Sequence, residues 1–214
     1  FGHKHNVDFY LQSDGIDTVS AIEEEPKPLS YNLGEIVVNF APTDFTQINS
    51  KVNEAMVEKV LECLRPEKGD QILDLYCGIG NFSLAIAARG AKVIGCEIDP
   101  RMVRRAEMNA TFNKLSNCSF RSIDLEDVCE LKSVDVSDVN KILLDPPRSG
   151  ARTVFDNMNF RKVERLLYVS CNPNTFCRDA AILTQSHGFE LSEAGVLDMF
   201  PQTSHFECIG LFGR

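Results

Sequence analysis

Apolar positions recur along this chain with two different periods, and the switches between them mark out its elements. From Asn49 they fall at Val52, Met56, Val60 and Leu64, a helical spacing that Pro66 and Gly69 then stop. Beyond it, short apolar runs over 71–76, 92–97, 118–122, 141–145 and 165–170 alternate with helical segments over 81–89, 100–113 and 173–186. Strands that are apolar on both faces and separated by helix-length segments predict a parallel sheet covered by helices on both sides. The last two β-type runs, 190–196 and 206–211, are joined by a loop too short for a crossover helix, so they are expected to pair antiparallel. The first part of the chain holds shorter runs over 7–12, 29–33 and 35–40, broken by Ser13-Asp14-Gly15 and by Glu23-Glu24-Glu25-Pro26. The expected architecture is α/β: a doubly wound, Rossmann-like sheet ending in an antiparallel hairpin over 49–214, with a small β appendage over 1–48.

Composition narrows this picture in three ways. The chain has 214 residues, 43% of them hydrophobic, which suits one main domain. No apolar run approaches the roughly 18 residues that cross a bilayer, and the start lacks the pattern of a signal peptide, so a soluble protein without membrane contact is expected. The chain does not open on Met and begins near a strand-like run, which suggests a piece of something longer. Its 8 cysteines fall mostly inside the predicted elements with no framework spacing, which favours a reducing cytoplasm over disulfides. Cys171 and Cys177 have no further Cys or His at a spacing that would complete a metal site, so no metal is expected. The formal net charge of −9 opposes unaided binding of phosphates.

The chemistry gathers at strand ends. Asp74-Leu75-Tyr76-Cys77-Gly78-Ile79-Gly80-Asn81-Phe82-Ser83 reads as a strand, a turn in which Gly78 and Gly80 allow close backbone approach, and the start of a helix. A dinucleotide site would need a third small residue and would place a pyrophosphate at the helix start; an acidic residue just upstream, Asp74, fits a cationic sulfonium ligand better. Glu97 ends the next strand, where a carboxylate can accept both hydroxyls of a ribose, and Asp124 follows the third, where it would lie near an adenine. S-adenosylmethionine is therefore the expected cofactor.

Two further motifs and one strand start reach the same edge. Asp145-Pro146-Pro147-Arg148 sets a carboxylate at the end of the fourth parallel strand, where doubly wound folds bind ligands. Ser170-Cys171-Asn172-Pro173 puts a thiol just before a helix, with Asn172 suited to cap it and Pro173 to its first position; the helix dipole there favours thiolate. Glu207 opens the final strand, whose antiparallel direction brings its start to the catalytic edge, so that it can face Cys171. His205 is an alternative base, though a polar strand end is the simpler reading.

These motifs, with Asp198-Met199-Phe200-Pro201-Gln202-Thr203-Ser204-His205-Phe206-Glu207 and Asn39-Phe40-Ala41-Pro42-Thr43-Asp44-Phe45-Thr46-Gln47-Ile48-Asn49, resemble those of the bacterial RNA (uracil-5-)-methyltransferases. The likeness runs from about Leu29 to the end and is greatest to the branch acting on 23S ribosomal RNA, with the transfer-RNA branch a close relative. It implies that Gln47, Tyr76, Asn81, Glu97, Asp124 and Asp145 contact S-adenosylmethionine, that Cys171 is the nucleophile and Glu207 the general base, and that 5-methyluridine is the product. Asp145 and Arg148 would orient the uracil. It also implies that 1–48 is the remnant of a central β region, and that an RNA-gripping β-barrel and a [4Fe-4S] cluster belong to an N-terminal part absent here; a cytoplasmic monomer is expected. Two other readings remain: an amino-group methyltransferase, although Arg148 stands where those enzymes carry an aromatic after Asp-Pro-Pro, and a non-catalytic RNA-binding factor.

Overall fold

The computed structural model describes residues 1–22, 27–199, 201–203 and 206–214. Turn chemistry dominates the first part. After a single helical turn, α1 (Gly2–His5), the strands β1 (Tyr10–Gln12) and β2 (Val19–Ala21) form a small ladder around a 3-10 turn at Ile16–Thr18. Strand β1 is shorter than the run that predicted it, and β2 is too short to show an alternation in the sequence. The next two runs form strands that pair antiparallel, β3 (Leu29–Leu33) against β4 (Ile36–Phe40).

Helix α2 (Ser50–Leu64) starts where the helical period starts, because the Asn49 side chain accepts from the Val52 amide at 3.3 Å. It buries Met56, Val57, Val60, Cys63 and Leu64. Strands β5 (Gln71–Leu75), β6 (Lys92–Glu97), β7 (Cys118–Ser122), β8 (Lys141–Leu144) and β9 (Arg165–Ser170) then alternate with helices. Of these, α3 (Asn81–Ala88), α4 (Pro100–Phe112) and α7 (Pro173–Ser186) match the sequence reading. Two more, α5 (Val128–Leu131) and α6 (Arg152–Asn157), are too short to display a 3.6-residue period. The chain ends in β10 (Glu190–Leu197) and β11 (Glu207–Gly213), which pair antiparallel.

The seven-stranded sheet runs β10-β11-β9-β8-β5-β6-β7, with β11 antiparallel to both its neighbours and β5 to β9 parallel. Successive strand residues feed opposite faces: Ile72, Val93, Leu143 and Leu167 join one apolar core, Leu73, Ile94, Ile142 and Leu166 the other. Strand order reverses at β5, which lies between β6 and β8, and a crevice at such a switch point is where this architecture takes ligands. The β3–β4 hairpin closes one side of that crevice. Its Leu33 and Val38 join the first core, and buried Asn109 of α4 fixes it in place, pairing with both backbone groups of Asn39 at 2.9 and 3.0 Å while donating to the Ile79 carbonyl at 3.2 Å. Among the described residues no helix is long and apolar enough to cross a membrane.

Candidate active site

The glycine turn after β5 is built from alternating left-handed residues: φ is +65° at Tyr76, +54° at Gly78 and +91° at Gly80. A non-glycine residue is strained there by about 1–2 kcal/mol, and such strain concentrates at ligand-binding turns. The Tyr76 ring is restrained from outside, its hydroxyl donating to Glu126 Oε1 at 3.2 Å while Glu126 Oε2 accepts from Thr153 Oγ1 at 2.7 Å. Glu97 closes the turn on the other side. One of its oxygens accepts from the Ile98 and Asp99 amides at 2.8 and 3.1 Å and the other from the Gly78 amide at 3.1 Å. A carboxylate so fixed by backbone donors still has acceptor sites for a ligand's hydroxyls.

These groups open on a cleft of about 690 Å³, a size suited to a nucleoside-bearing cofactor. It is lined by Tyr76, Gly78, Asn81 and Glu97 from the turn and β6, by Gln47 from the loop before α2, and by Asp145, Arg148, Cys171 and Glu207. The structure thus brings together nine of the sequence-derived site residues. Two stand outside that lining. Gly80 is buried at the start of α3, where a Cβ would meet Leu84 at 3.3 Å and Ala106 at 3.5 Å, so its position serves helix packing. Asp124 sits in the turn after β7, its carboxylate accepting from the Glu126 amide at 2.9 Å. His205 lies outside the described residues.

Asn81 is more committed than its sequence position shows. Its Oδ1 accepts from the Tyr31 hydroxyl at 2.8 Å and from Asn53 at 2.9 Å, and its amide donates back to Asn53 at 3.0 Å. Tyr31 also lines the cleft, as do Phe45, Ile48, Ile98 and Met102. None of these was legible as a site residue. Phe45 and Ile48 carried the one usable signal, large apolar side chains flanking Gln47 in a loop, and they are 70% and 79% exposed. That loop is moored by Asp44, which accepts from the Ala41 amide at 2.7 Å and pairs with Arg105 of α4 at 3.1 Å.

Carboxylates dominate the electrostatics. Asp74 is fully buried and takes a 2.5 Å hydrogen bond from Ser83, but its Oδ1 has no partner among the described residues. Burial, opposed by the Ser83 bonds and aided by Glu97, pushes its pKa up to about 7. Asp145 is also pushed up to about 7, first by burial and then by Glu207 and Asp74. Glu207, 7% exposed, is raised by burial. Two carboxyls that line the cleft and are reluctant to ionise, Asp145 and Glu207, favour a bound positive charge, which a sulfonium ligand carries; the residues present fit S-adenosylmethionine.

The Asp145 shift has a measurable consequence. A folded-state pKa above the ordinary 3.8 means that ionisation opposes folding: the penalty is absent below about pH 4 and grows as the pH rises through about 7. Asp145→Asn is therefore expected to stabilise the ligand-free protein at pH 8 by on the order of 2 kcal/mol. That is below the roughly 4 of the full displacement, because the carboxyl borders the open cleft. Thermal melts at pH 8 and pH 4 check this, since the gain should vanish at the lower pH.

Cys171 and Glu207 meet through strand register. Cys208 of β11 lies opposite Ser170 of β9 in an antiparallel pair, so one step further Glu207 comes alongside Cys171. Asn172 caps α7 by accepting from the Asn174 amide at 3.1 Å, with Pro173 in the first turn. The helix start was expected to favour thiolate. Here the Cys171 pKa is instead raised, because burial, Glu207 and Asp145 together outweigh the Arg148 guanidinium, which pulls the other way. Among the described residues no three His, Cys, Asp or Glu side chains are grouped so as to hold a metal ion.

A strand-order switch point, a glycine turn closed by the Glu97 carboxylate, and a thiol–carboxylate pair lie together at one cleft. The family model described as tRNA (Uracil-5-)-methyltransferase matches residues 23–214, and the chain belongs to that family, whose fold is the Rossmann-like S-adenosylmethionine-dependent methyltransferase fold. Among individual relatives, it is 45% identical to the 23S rRNA (uracil(1939)-C(5))-methyltransferase RlmD of Nitrosococcus oceani over 99% of this chain and 48% of that protein. It is 42% identical to the protein of the same name from Stenotrophomonas maltophilia, over 100% of this chain and 49% of that protein. The chain thus spans about half the length of the curated relatives it matches. The crystal structure of Pyrococcus abyssi tRNA (uracil-54, C5)-methyltransferase in complex with S-adenosyl-L-homocysteine superimposes with a TM-score of 0.80 at 27% identity, over 96% of this chain and 50% of that one.

Proposed function

We propose that this chain carries the catalytic site of a 23S ribosomal RNA (uracil-5-)-methyltransferase, in which Cys171 is the nucleophile and Glu207 the base. The observation that carries the reading is the adjacency of Cys171 and Glu207 at one end of a cleft whose other lining includes Glu97 and the glycine turn. The ribosomal substrate is favoured over transfer RNA by the 45% identity to the ribosomal enzyme of Nitrosococcus oceani, against 27% to the archaeal transfer-RNA enzyme.

In this reading Glu97 receives the ribose hydroxyls, while Gln47, Tyr76, Gly78, Asn81 and Asp145 line the rest of the cofactor's place; Asp124 acts from the neighbouring turn and Gly80 by shaping the helix start. The cofactor, when bound, supplies a methyl group on a sulfonium. Uracil C5 is a poor nucleophile, and the residues of this chain overcome that. The Cys171 thiolate adds to C6, which places the electron pair on the C4 enolate and makes C5 reactive. Once C5 bears the methyl group, Glu207 takes the C5 proton; the electron pair restores the C5–C6 double bond and the C6–S bond breaks, returning Cys171. Asp145 and Arg148 orient the base edge. The uridine must leave its stack for both faces to be reached, which suits a splayed loop nucleotide. The grip on RNA phosphates and the [4Fe-4S] cluster are assigned to a part of the protein outside this chain, consistent with its net charge of −9.

Glu97→Ala should weaken binding of S-adenosylmethionine and S-adenosylhomocysteine by about 10- to 100-fold, the loss expected for hydrogen bonds to a charged acceptor, as read by calorimetry. Unchanged affinity would remove Glu97 from the cofactor site. Methyl transfer to ribosomal fragments but not to transfer-RNA transcripts would support the proposed substrate, and the opposite preference would overturn it.

A further inference from the structure

The loop that follows Asp145-Pro146-Pro147 is tied to α7 by hydrogen bonds for which the proposed reaction has no use. At their centre is Asp179, fully buried within α7. Its Oδ2 accepts from the Ala151 amide at 2.9 Å and the Tyr168 hydroxyl at 2.7 Å; its Oδ1 accepts from Arg178 Nε at 2.8 Å. The Arg178 guanidinium pairs with the same carboxylate at 2.7 Å and donates to the Ser149 carbonyl at 2.9 Å. Nearer the site, Asn172 Nδ2 and Thr175 Oγ1 both donate to the Arg148 carbonyl, at 3.0 and 3.3 Å.

The fit is close. Gly150 has φ +79°, and a Cβ there would collide with Asp179 Oδ2 and stand 2.5 Å from the Arg178 guanidinium. The loop is thereby seated against α7 at residues 148, 149 and 151, and the Arg148 side chain lines the same cleft as Cys171, where its positive charge favours the thiolate. Helix α7 starts two residues after that thiol. One helix therefore carries both the clamp and the end of the strand bearing the sulfur.

We propose that Asp179 is a positioning residue for the nucleophile: through Arg178 and the backbone of residues 148–151 it holds the Arg148 guanidinium against the Cys171 sulfur. The proposal rests on the reading of Cys171 as nucleophile. The charged and titratable groups around that sulfur are Glu207 of β11, Asp145 after β8 and Arg148 in the loop, with Cys208 of β11 close enough to Cys171 to interact with it. Of these, Arg148 alone favours thiolate. Releasing the loop lets the guanidinium leave while the carboxylates stay, so the thiol becomes harder to ionise.

The test is the pH dependence of iodoacetamide labelling at Cys171, followed peptide by peptide in the full 214-residue chain so that the other cysteines do not interfere. Arg148→Met should raise the midpoint by about one pH unit, a tenfold smaller thiolate fraction at neutral pH. Asp179→Asn and Arg178→Gln should each raise it by about half a unit or more, roughly threefold. Asp179→Asn added to Arg148→Met should move it no further. Wild-type midpoints in both clamp variants, with any change confined to melting temperature, would overturn the proposal, as would a shift that persists in full without Arg148. Should Asp179→Asn fail to fold, Arg178→Gln decides the matter, because it removes the Ser149 bond and leaves Asp179 bonded to Ala151 and Tyr168. If Cys171 is not the nucleophile, Cys171→Ala will still methylate RNA while these midpoints still move, so the two failures read differently.

Discussion

Cys171→Ala is expected to abolish methyl transfer, lowering turnover by at least about 10⁴-fold, because the second thiol in the cleft lining, Cys77, is buried and held from ionising, and without attack at C6 the C5 atom stays unreactive. The thiol is only half-buried and its neighbour Glu207 comes from another strand, so the truncation should leave the sheet and the cofactor's place intact. The loss should therefore fall on turnover, with affinity for S-adenosylmethionine kept. RNA carrying 5-fluorouridine sharpens the test. Fluorine at C5 cannot be removed as a proton, so wild type should form a protein–RNA adduct that survives denaturation. Cys171→Ala should form none; an undiminished adduct in that variant would rule out Cys171.

Glu207→Gln is expected to act on the other half of the reaction. The amide keeps the shape of a buried side chain but cannot take the C5 proton, so turnover should fall by about 10²- to 10⁴-fold, the usual worth of a positioned base. Addition and methyl transfer precede that step, so the variant should accumulate methylated RNA still bonded to Cys171. A mass spectrum of the trapped complex, showing uridine plus one methyl group on the Cys171 peptide, checks this. Normal turnover would show that another group takes the proton. The carboxylate is needed ionised, and burial raises its pKa, so wild-type activity should be lost on acidification at a higher pH than for an ordinary glutamate.

Much of this arrangement was legible in the sequence because single residues marked the element boundaries. Asn49 and Asn172 cap their helices where the apolar period begins, and the strands over 92–97, 118–122 and 165–170 coincide with those observed. Strand ends then fix which residues share an edge, which is why Glu97, Asp145, Cys171 and Glu207 could be gathered from chain order alone. What stayed hidden depends on contacts between distant segments. Tyr31 reaches Asn81 across 50 positions, Asn109 moors the β3–β4 hairpin across 70, and Glu126 steadies Tyr76 from a turn beside an unforeseen helix. At Cys171 the start of α7 was expected to favour thiolate, but burial of the thiol, which the sequence did not show, comes first among the causes that raise its pKa, ahead of Glu207 and Asp145.

The central claim is that this cleft places a methyl group on uracil C5 and removes the hydrogen there. Ribosomal RNA fragments labelled with tritium at uridine C5 test it most directly. The account predicts one tritium released to water for each methyl group incorporated, with both lost together in Cys171→Ala. Methyl incorporation with the tritium retained would place the methyl group on another atom and contradict it.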